Sequence, residues 1–150
     1  MRKGPCGFFL SRQAGCRCYG VEYDERIFQS ALTNRENAVS ASRTSFENAR
    51  AEHCTIPEGT DRFYFFNPFS VRILHAMLGR IMDSWYDAPR EILLFFYYPS
   101  DEYVAFLMAA DGLVFEGEID CRDLFGGNDG REKILVFKIA EDCSQENCSR

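Results

Sequence analysis

Two stretches of the chain are apolar at consecutive positions. Phe63-Tyr64-Phe65-Phe66 and Ile92-Leu93-Leu94-Phe95-Phe96-Tyr97-Tyr98 place large apolar side chains on both faces of an extended backbone. Strands covered on both sides, as in a parallel sheet, carry this pattern. Each run ends at a proline, Pro68 after Asn67 and Pro99 after Tyr98. Between them the period changes to that of a helix. Ile73, Leu74, Met77, Leu78, Ile81, Met82 and Trp85 recur at i, i+3 and i+4, which predicts an amphipathic helix over residues 71–86. Ser70 is placed to cap it and Pro89 to stop it. Strand, helix and strand in this order predict neighbouring parallel strands joined by a crossover helix.

The flanking segments extend the alternation. Residues 8–13 read as the end of a short helix stopped at Gly15, and residues 16–21 as a short strand. Asp24 is a helix cap for a segment in which Ile27, Phe28, Ala31, Leu32 and Ala38 fit a helical period to about residue 40. Residues 40–58 are mostly polar, with a short strand at Ser45 and Phe46. Ser100 caps a short helix through Val104, Leu107 and Met108. After Gly112 come two strands, residues 113–119 and 133–139. The Gly-, Asn- and Asp-rich connection between them predicts a hairpin-like, antiparallel pair. The polar residues 141–150 read as a tail. The chain thus reads as an α/β protein, a three-layer sandwich with a mostly parallel sheet and a C-terminal antiparallel strand. The expected organisation is one domain over residues 1–140, then the tail.

Composition narrows the function classes. The 150 residues suit a single domain. Hydrophobic residues at 46% and charged residues at 27% exclude a disordered or low-complexity chain. No apolar run reaches the roughly 20 residues of a membrane helix, so no membrane partner is expected. The net charge of −6 and the absence of a basic run longer than Arg2-Lys3 argue against non-specific nucleic-acid binding. Residues 4–10 are too short and broken for a secretory signal. The expected location is therefore cytoplasmic, with reduced thiols. The seven cysteines include no C-x-x-C pair. Cys16 and Cys18 are the close pair and share one face of a strand. No ligand pattern joins them to His53, Cys54 or His75, so no metal is expected and the cysteines read as small buried hydrophobes.

Ligands of open α/β sheets bind beyond the carboxyl ends of the strands, and three segments qualify. Gly20-Val21-Glu22-Tyr23-Asp24 ends the first predicted strand. Glu22, 18 residues after Gly4, is spaced like the acid that accepts hydrogen bonds from a nucleotide ribose. Taken alone, Glu22 and Asp24 are also explained as acids at a helix N-terminus, where the dipole favours them. Asn67-Pro68-Phe69 ends the aromatic strand. The Asn67 amide oxygen could accept from an amine and the Phe69 ring could stack on a planar or cationic group; a plain turn opener also fits. Tyr97-Tyr98-Pro99-Ser100-Asp101-Glu102 either lines the same crevice or simply starts a capped helix. His75 reads as a surface or packed histidine.

Taken in order, Gly20-Val21-Glu22-Tyr23-Asp24, the aromatic strand ending in Asn67-Pro68-Phe69, the Tyr97-Tyr98-Pro99 strand and the terminal antiparallel pair resemble the class I S-adenosylmethionine-dependent methyltransferases, a Rossmann-like family. The resemblance covers roughly residues 4–139. It implies S-adenosylmethionine as cofactor, with Glu22 on its ribose, Tyr23 packed on its adenine, and Ala51 and Glu52 near the adenine amino group. Asn67, Pro68 and Phe69 would carry the catalytic role next to an unidentified methyl acceptor. Three departures stand out. The second proline of the family's Asp/Asn-Pro-Pro-Phe/Tyr motif is absent, and Arg50 stands where the family often has an acid. The family also begins with an apolar strand and an acidic-x-Gly-x-Gly-x-Gly loop. Here Gly4 and Gly7 look like the far end of that loop, so the first strand is expected to be missing and the domain to be an N-terminally incomplete fragment.

Methyl transfer from S-adenosylmethionine is therefore the expected activity. The alternative is a non-catalytic Rossmann remnant that works as a binding or interaction module, with self-association through exposed strand edges. A nicotinamide-dinucleotide binder fits less well, because the glycine fingerprint is incomplete.

Overall fold

The computed structural model describes residues 15–37, 41–66, 70–125, 127 and 129–140. The helix expected at 8–13, Gly4 and Gly7, Asn67, Pro68 and Phe69, and the tail at 141–150 lie outside the described residues. The chain forms two compact units, Met1–Pro57 and Glu58–Arg150.

The first unit is built on two parallel strands, β1 (Cys18–Glu22) and β2 (Thr44–Asn48), paired in register from Cys18 opposite Thr44 to Glu22 opposite Asn48. Helix α1 (Glu25–Glu36) connects them. Asp24 caps it as expected: its Oδ1 accepts from the backbone N–H of Arg26 at 2.9 Å and of Ile27 at 3.4 Å, satisfying donors with no partner inside the helix. Among the described residues the helix ends at Glu36; residues 38–40 of its expected span lie outside them. Asn37 caps it there, its backbone N–H bonding back to Asn34 and its side-chain amide donating to the Thr33 carbonyl at 3.2 Å. Asparagine competes with the helical backbone in this way. Ala31 packs inward, and the Arg35 Nε donates to the Thr44 carbonyl at 2.6 Å, tying the last turn to the start of β2.

Gly20 permits the packing of this small sheet. A Cβ at that position would lie 2.6 Å from the Phe46 ring, so the ring must shift if any side chain is added. Gly20→Ala is expected to cost about 1–3 kcal/mol through overpacking. A lower urea midpoint at unchanged slope would show it; an unchanged midpoint would mean that Phe46 yields freely.

The second unit holds a four-stranded sheet in the order β3-β4-β6-β5. β3 (Arg62–Phe66) and β4 (Leu93–Tyr97) are parallel neighbours joined through helix α2 (Val71–Asp87), as the apolar pattern predicts. Ser70 caps α2 through a 3.4 Å bond from the Ile73 N–H. Leu74, Met77, Leu78, Ile81 and Trp85 form its buried face. Beyond its end, the Arg90 guanidinium donates to the Ser84 and Ala88 carbonyls and to the Ser84 hydroxyl, and its Nε to the Thr60 carbonyl. One planar fork thus fixes the helix terminus to the approach of β3.

Helix α3 (Asp101–Ala109) follows β4, capped by Ser100. β5 (Leu113–Asp120) and β6 (Lys133–Ile139) are antiparallel, and β6 also pairs antiparallel with β4. A bulge between Phe115 and Gly117 shifts the β5 register. The connection contains one helical turn, Arg122–Phe125. Asp120 starts it by accepting from the Arg122 backbone and gripping its guanidinium, which holds the carboxyl down at about 2. β4 is paired on both sides, and its Leu94 and Phe96 are sealed from solvent. Phe65 stacks on Phe96 at 4.9 Å, Phe96 meets Phe137 edge-on at 6.0 Å, and Phe137 meets Phe115 at 5.5 Å. These rings run as a ladder across all four strands, each contact worth about 0.5–1.5 kcal/mol beyond its area. The high phenylalanine content thus serves the core of this unit.

Cysteine placement is mixed. Cys54 and Cys121 are buried, as small hydrophobes should be, but Cys16 is exposed and Cys18 half-buried. The expectation of burial fails there because Cys16 precedes β1, where no element among the described residues covers it. Among the described residues no helix is long and apolar enough to cross a membrane.

Candidate functional site

In-register parallel pairing brings the carboxyl ends of β1 and β2 level, with Glu22 opposite Asn48. The segments that follow, Tyr23-Asp24 and Ala49-Arg50-Ala51-Glu52, therefore emerge side by side. Asn48 clips them together. Its amide donates to the Glu22 carbonyl at 3.3 Å and to the Tyr23 carbonyl at 3.5 Å, and the Ala49 N–H donates to the Glu22 carbonyl at 3.2 Å.

The Glu22 carboxylate is oriented by its own chain. Its Oε1 accepts from the Asp24 N–H at 2.9 Å, leaving Oε2 without a partner among the described residues. Tyr23 projects from the end of β1 with 65% of its surface exposed. The Arg50 guanidinium lies over the Tyr23 ring, 5.1 Å from its centroid, and pairs with Glu52 at 3.6 Å. The contact with Tyr23, then Glu52, raises the Arg50 pKa further. Ala51 and Glu52 lie in a single 3-10 turn, Ala51–His53, both half-buried.

A brace on the other face steadies that turn. The Tyr19 hydroxyl donates to Glu47 Oε2 at 2.6 Å, and the Thr55 N–H donates to the same oxygen at 3.0 Å. Burial, then the Glu47 carboxylate, pushes the Tyr19 phenol up to about 12, so at neutral pH it is a protonated donor. Tyr19 on β1 and Thr55 after the turn thus share one β2 carboxylate.

A carboxylate oxygen, an aromatic face and a guanidinium lie together at paired strand ends, a set of groups chemically suited to hydroxyls and a flat ring. Of the residues singled out in the sequence, Glu22, Tyr23, Ala51 and Glu52 come together here. Gly4, Gly7, Asn67, Pro68 and Phe69 are outside the described residues. Asn48 and the Tyr19–Glu47 brace escaped the sequence reading. Only the register Glu22 opposite Asn48 marks the first, and neither strand carries a motif for the second.

The third candidate segment, in the other unit, is occupied by contacts of its own. The Tyr97 hydroxyl donates to Glu132 at 2.5 Å and the Tyr98 hydroxyl to Asp129 at 2.6 Å, while the Arg131 guanidinium sits 5.0 Å from the Tyr98 ring centroid. Burial above all raises the Tyr97 pKa, and the Asp129 bond that of Tyr98. Tyr98 adopts a φ of 53°, a left-handed conformation rare for a bulky residue. These bonds to the β5–β6 connection hold it there. Asp101 and Glu102 occupy the first turn of α3, so the helix-start explanation describes them.

No protein-family model and no curated protein matches this sequence. Solved structures do match its fold. A glycopeptide N-methyltransferase, MtfA, aligns over 93% of this chain and 80% of its own at a TM-score of 0.69 and 10% identity. An rRNA methylase from Streptococcus thermophilus aligns over 91% and 80% at 0.63 and 14%. A TehB-like SAM-dependent methyltransferase from Corynebacterium glutamicum aligns over 93% and 76% at 0.59 and 18%. At these identities the likeness establishes the fold alone, α/β and Rossmann-like, as in a protein of the NADB-Rossmann superfamily from Streptococcus agalactiae that aligns over 94% of this chain and 60% of its own at a TM-score of 0.65 and 18% identity.

Proposed function

We propose that the chain binds S-adenosylmethionine at the carboxyl ends of β1 and β2 and acts as a methyltransferase on an unidentified acceptor. The observation that carries the reading is the Glu22 carboxylate. One oxygen is fixed by the Asp24 N–H and the other is left for a ligand, beside the exposed Tyr23 ring. A ribose presents two adjacent hydroxyls to such an oxygen, and adenine a flat ring to such a side chain. The residues present fit the cofactor.

Glu22 accepts from the ribose. Tyr23 offers the ring face not covered by Arg50 to the adenine. Ala51 and Glu52 approach the adenine edge. Gly4 and Gly7 are assigned to the methionine end. Asn67, Pro68 and Phe69 are assigned to the acceptor, with the Asn67 amide oxygen accepting a hydrogen bond from an amine N–H and the Phe69 ring stacking on a planar or cationic group. When bound, the cofactor supplies a methyl group activated by its sulfonium. What the protein then contributes is chiefly orientation.

A second reading rests on strand pairing. Among the described residues β1 pairs with β2 alone and β3 with β4 alone. Tyr19 and Val21 on β1 and Tyr64 on β3 are exposed. Such edges serve an interaction module that associates by strand pairing.

Saturation-transfer NMR with S-adenosylhomocysteine separates the readings. The expected result is transfer to the adenine and ribose protons, undiminished by excess NAD. Absence of transfer favours the interaction module. Equal displacement by NAD favours a dinucleotide binder.

A further inference from the structure

We infer that Cys16 and Cys18 form a reversible dithiol–disulfide site, a modification site separate from the proposed cofactor site. Their sulfurs lie 3.7 Å apart at the exposed entry to β1. A disulfide bond is about 2.05 Å long, so closure requires an approach of roughly 1.7 Å. The chain can supply this. Cys18 is the first residue of β1 and is fixed by pairing opposite Thr44. Cys16 lies before the ladder and next to Gly15, which has a φ of 66° and where an added Cβ would meet nothing within 4 Å among the described residues. Cys16 can therefore swing towards Cys18 without breaking a ladder bond.

The same geometry makes the bond labile. Residues i and i+2 of an extended chain are separated by about 6.4–6.8 Å between Cα atoms, the upper edge of the range a disulfide spans. Strained and exposed disulfides are the readily reduced ones. The buried thiols behave differently: burial pushes the Cys121 thiol up, away from the reactive thiolate.

With a hydroperoxide as oxidant the step balances. The Cys16 thiolate attacks the peroxide oxygen and the O–O bond breaks. This gives a sulfenic acid and an alkoxide (hydroxide, from hydrogen peroxide) that takes up the thiol proton. The Cys18 thiolate then attacks the sulfenic sulfur. The S–S bond forms, the S–O bond breaks, and the hydroxide leaves as water with the second thiol proton. Two electrons pass from the sulfurs to the peroxide.

The test uses the full chain, treated with hydrogen peroxide, alkylated with N-ethylmaleimide and digested with trypsin. Arg17 lies between the two cysteines. The disulfide therefore appears as fragment 13–17 joined to 18–26, or as an uncut 13–26 two hydrogens lighter and without maleimide. Loss of both labels together from a protein that stays monomeric on a non-reducing gel, reversed by dithiothreitol, is expected. In Cys18→Ser the Cys16 sulfenic acid should become trappable by dimedone. Retention of both labels, linkage of Cys16 to a different cysteine, or a disulfide found only in dimers would overturn the assignment.

Discussion

Leu94→Ala is expected to lower the stability of the second unit by about 2–5 kcal/mol. Leu94 is sealed from solvent at the middle of β4. Its strand is flanked on both sides, by β3 in parallel and by β6 antiparallel, with Phe63 and Phe137 as the ladder neighbours of Leu94 itself. Truncation removes four carbons' worth less one of packing from a site whose walls are strand backbone and aromatic rings, and such walls collapse poorly around a cavity. Domains hold only about 5–15 kcal/mol in all, so the variant should melt far below the parent or fail to fold at physiological temperature. Urea titration followed by circular dichroism measures it, and Tyr64→Ala, on an exposed β3 position, is the control with a small expected effect. A loss below about 1 kcal/mol for Leu94→Ala, in the range of ordinary surface substitutions, would mean that β4 is not central to the core.

The ease of reading differs along the chain for physical reasons. α2, β3, β4 and β6 stand within a residue or two of their predicted bounds, because each buries apolar side chains in a period its geometry demands. The caps at Asp24, Ser70 and Ser100 are local chemistry and equally legible. β2 is not: Thr44-Ser45-Phe46-Glu47-Asn48 has one large apolar residue, so only two of its five residues were predicted as strand. That strand supplies Asn48 and Glu47, so the clip and the brace of the candidate site stayed hidden with it. Glu22 and Tyr23 were legible because Glu22 ends a short strand and Tyr23 follows it, directly before the Asp24 cap. Their relation to Arg50 depends on pairing between residues 26 positions apart, Glu22 and Asn48, and no periodicity carries such a register. The helical turn Arg122–Phe125 went unseen because four residues are too few for a period, although Asp120 before Arg122 is its capping signal.

Glu22→Ala is expected to weaken S-adenosylhomocysteine binding by about 1.5–3 kcal/mol, the worth of a hydrogen bond to a charged group, or roughly 10- to 150-fold in Kd. The substitution also removes the acceptor of the Asp24 N–H, which disturbs the entry to α1. Glu22→Gln separates the two effects. It keeps an oxygen for the Asp24 N–H and loses the charge that strengthens the ribose bond, so its affinity should fall between those of the parent and Glu22→Ala while its melting temperature stays near the parent's.

Isothermal titration calorimetry of the parent chain and these two variants with S-adenosylhomocysteine measures this directly. A saturable one-to-one isotherm for the parent, with affinity falling from Glu22 to Gln to Ala, is the predicted result. Equal affinity in all three folded proteins, or no binding by the parent, would contradict the placement of the cofactor at the ends of β1 and β2.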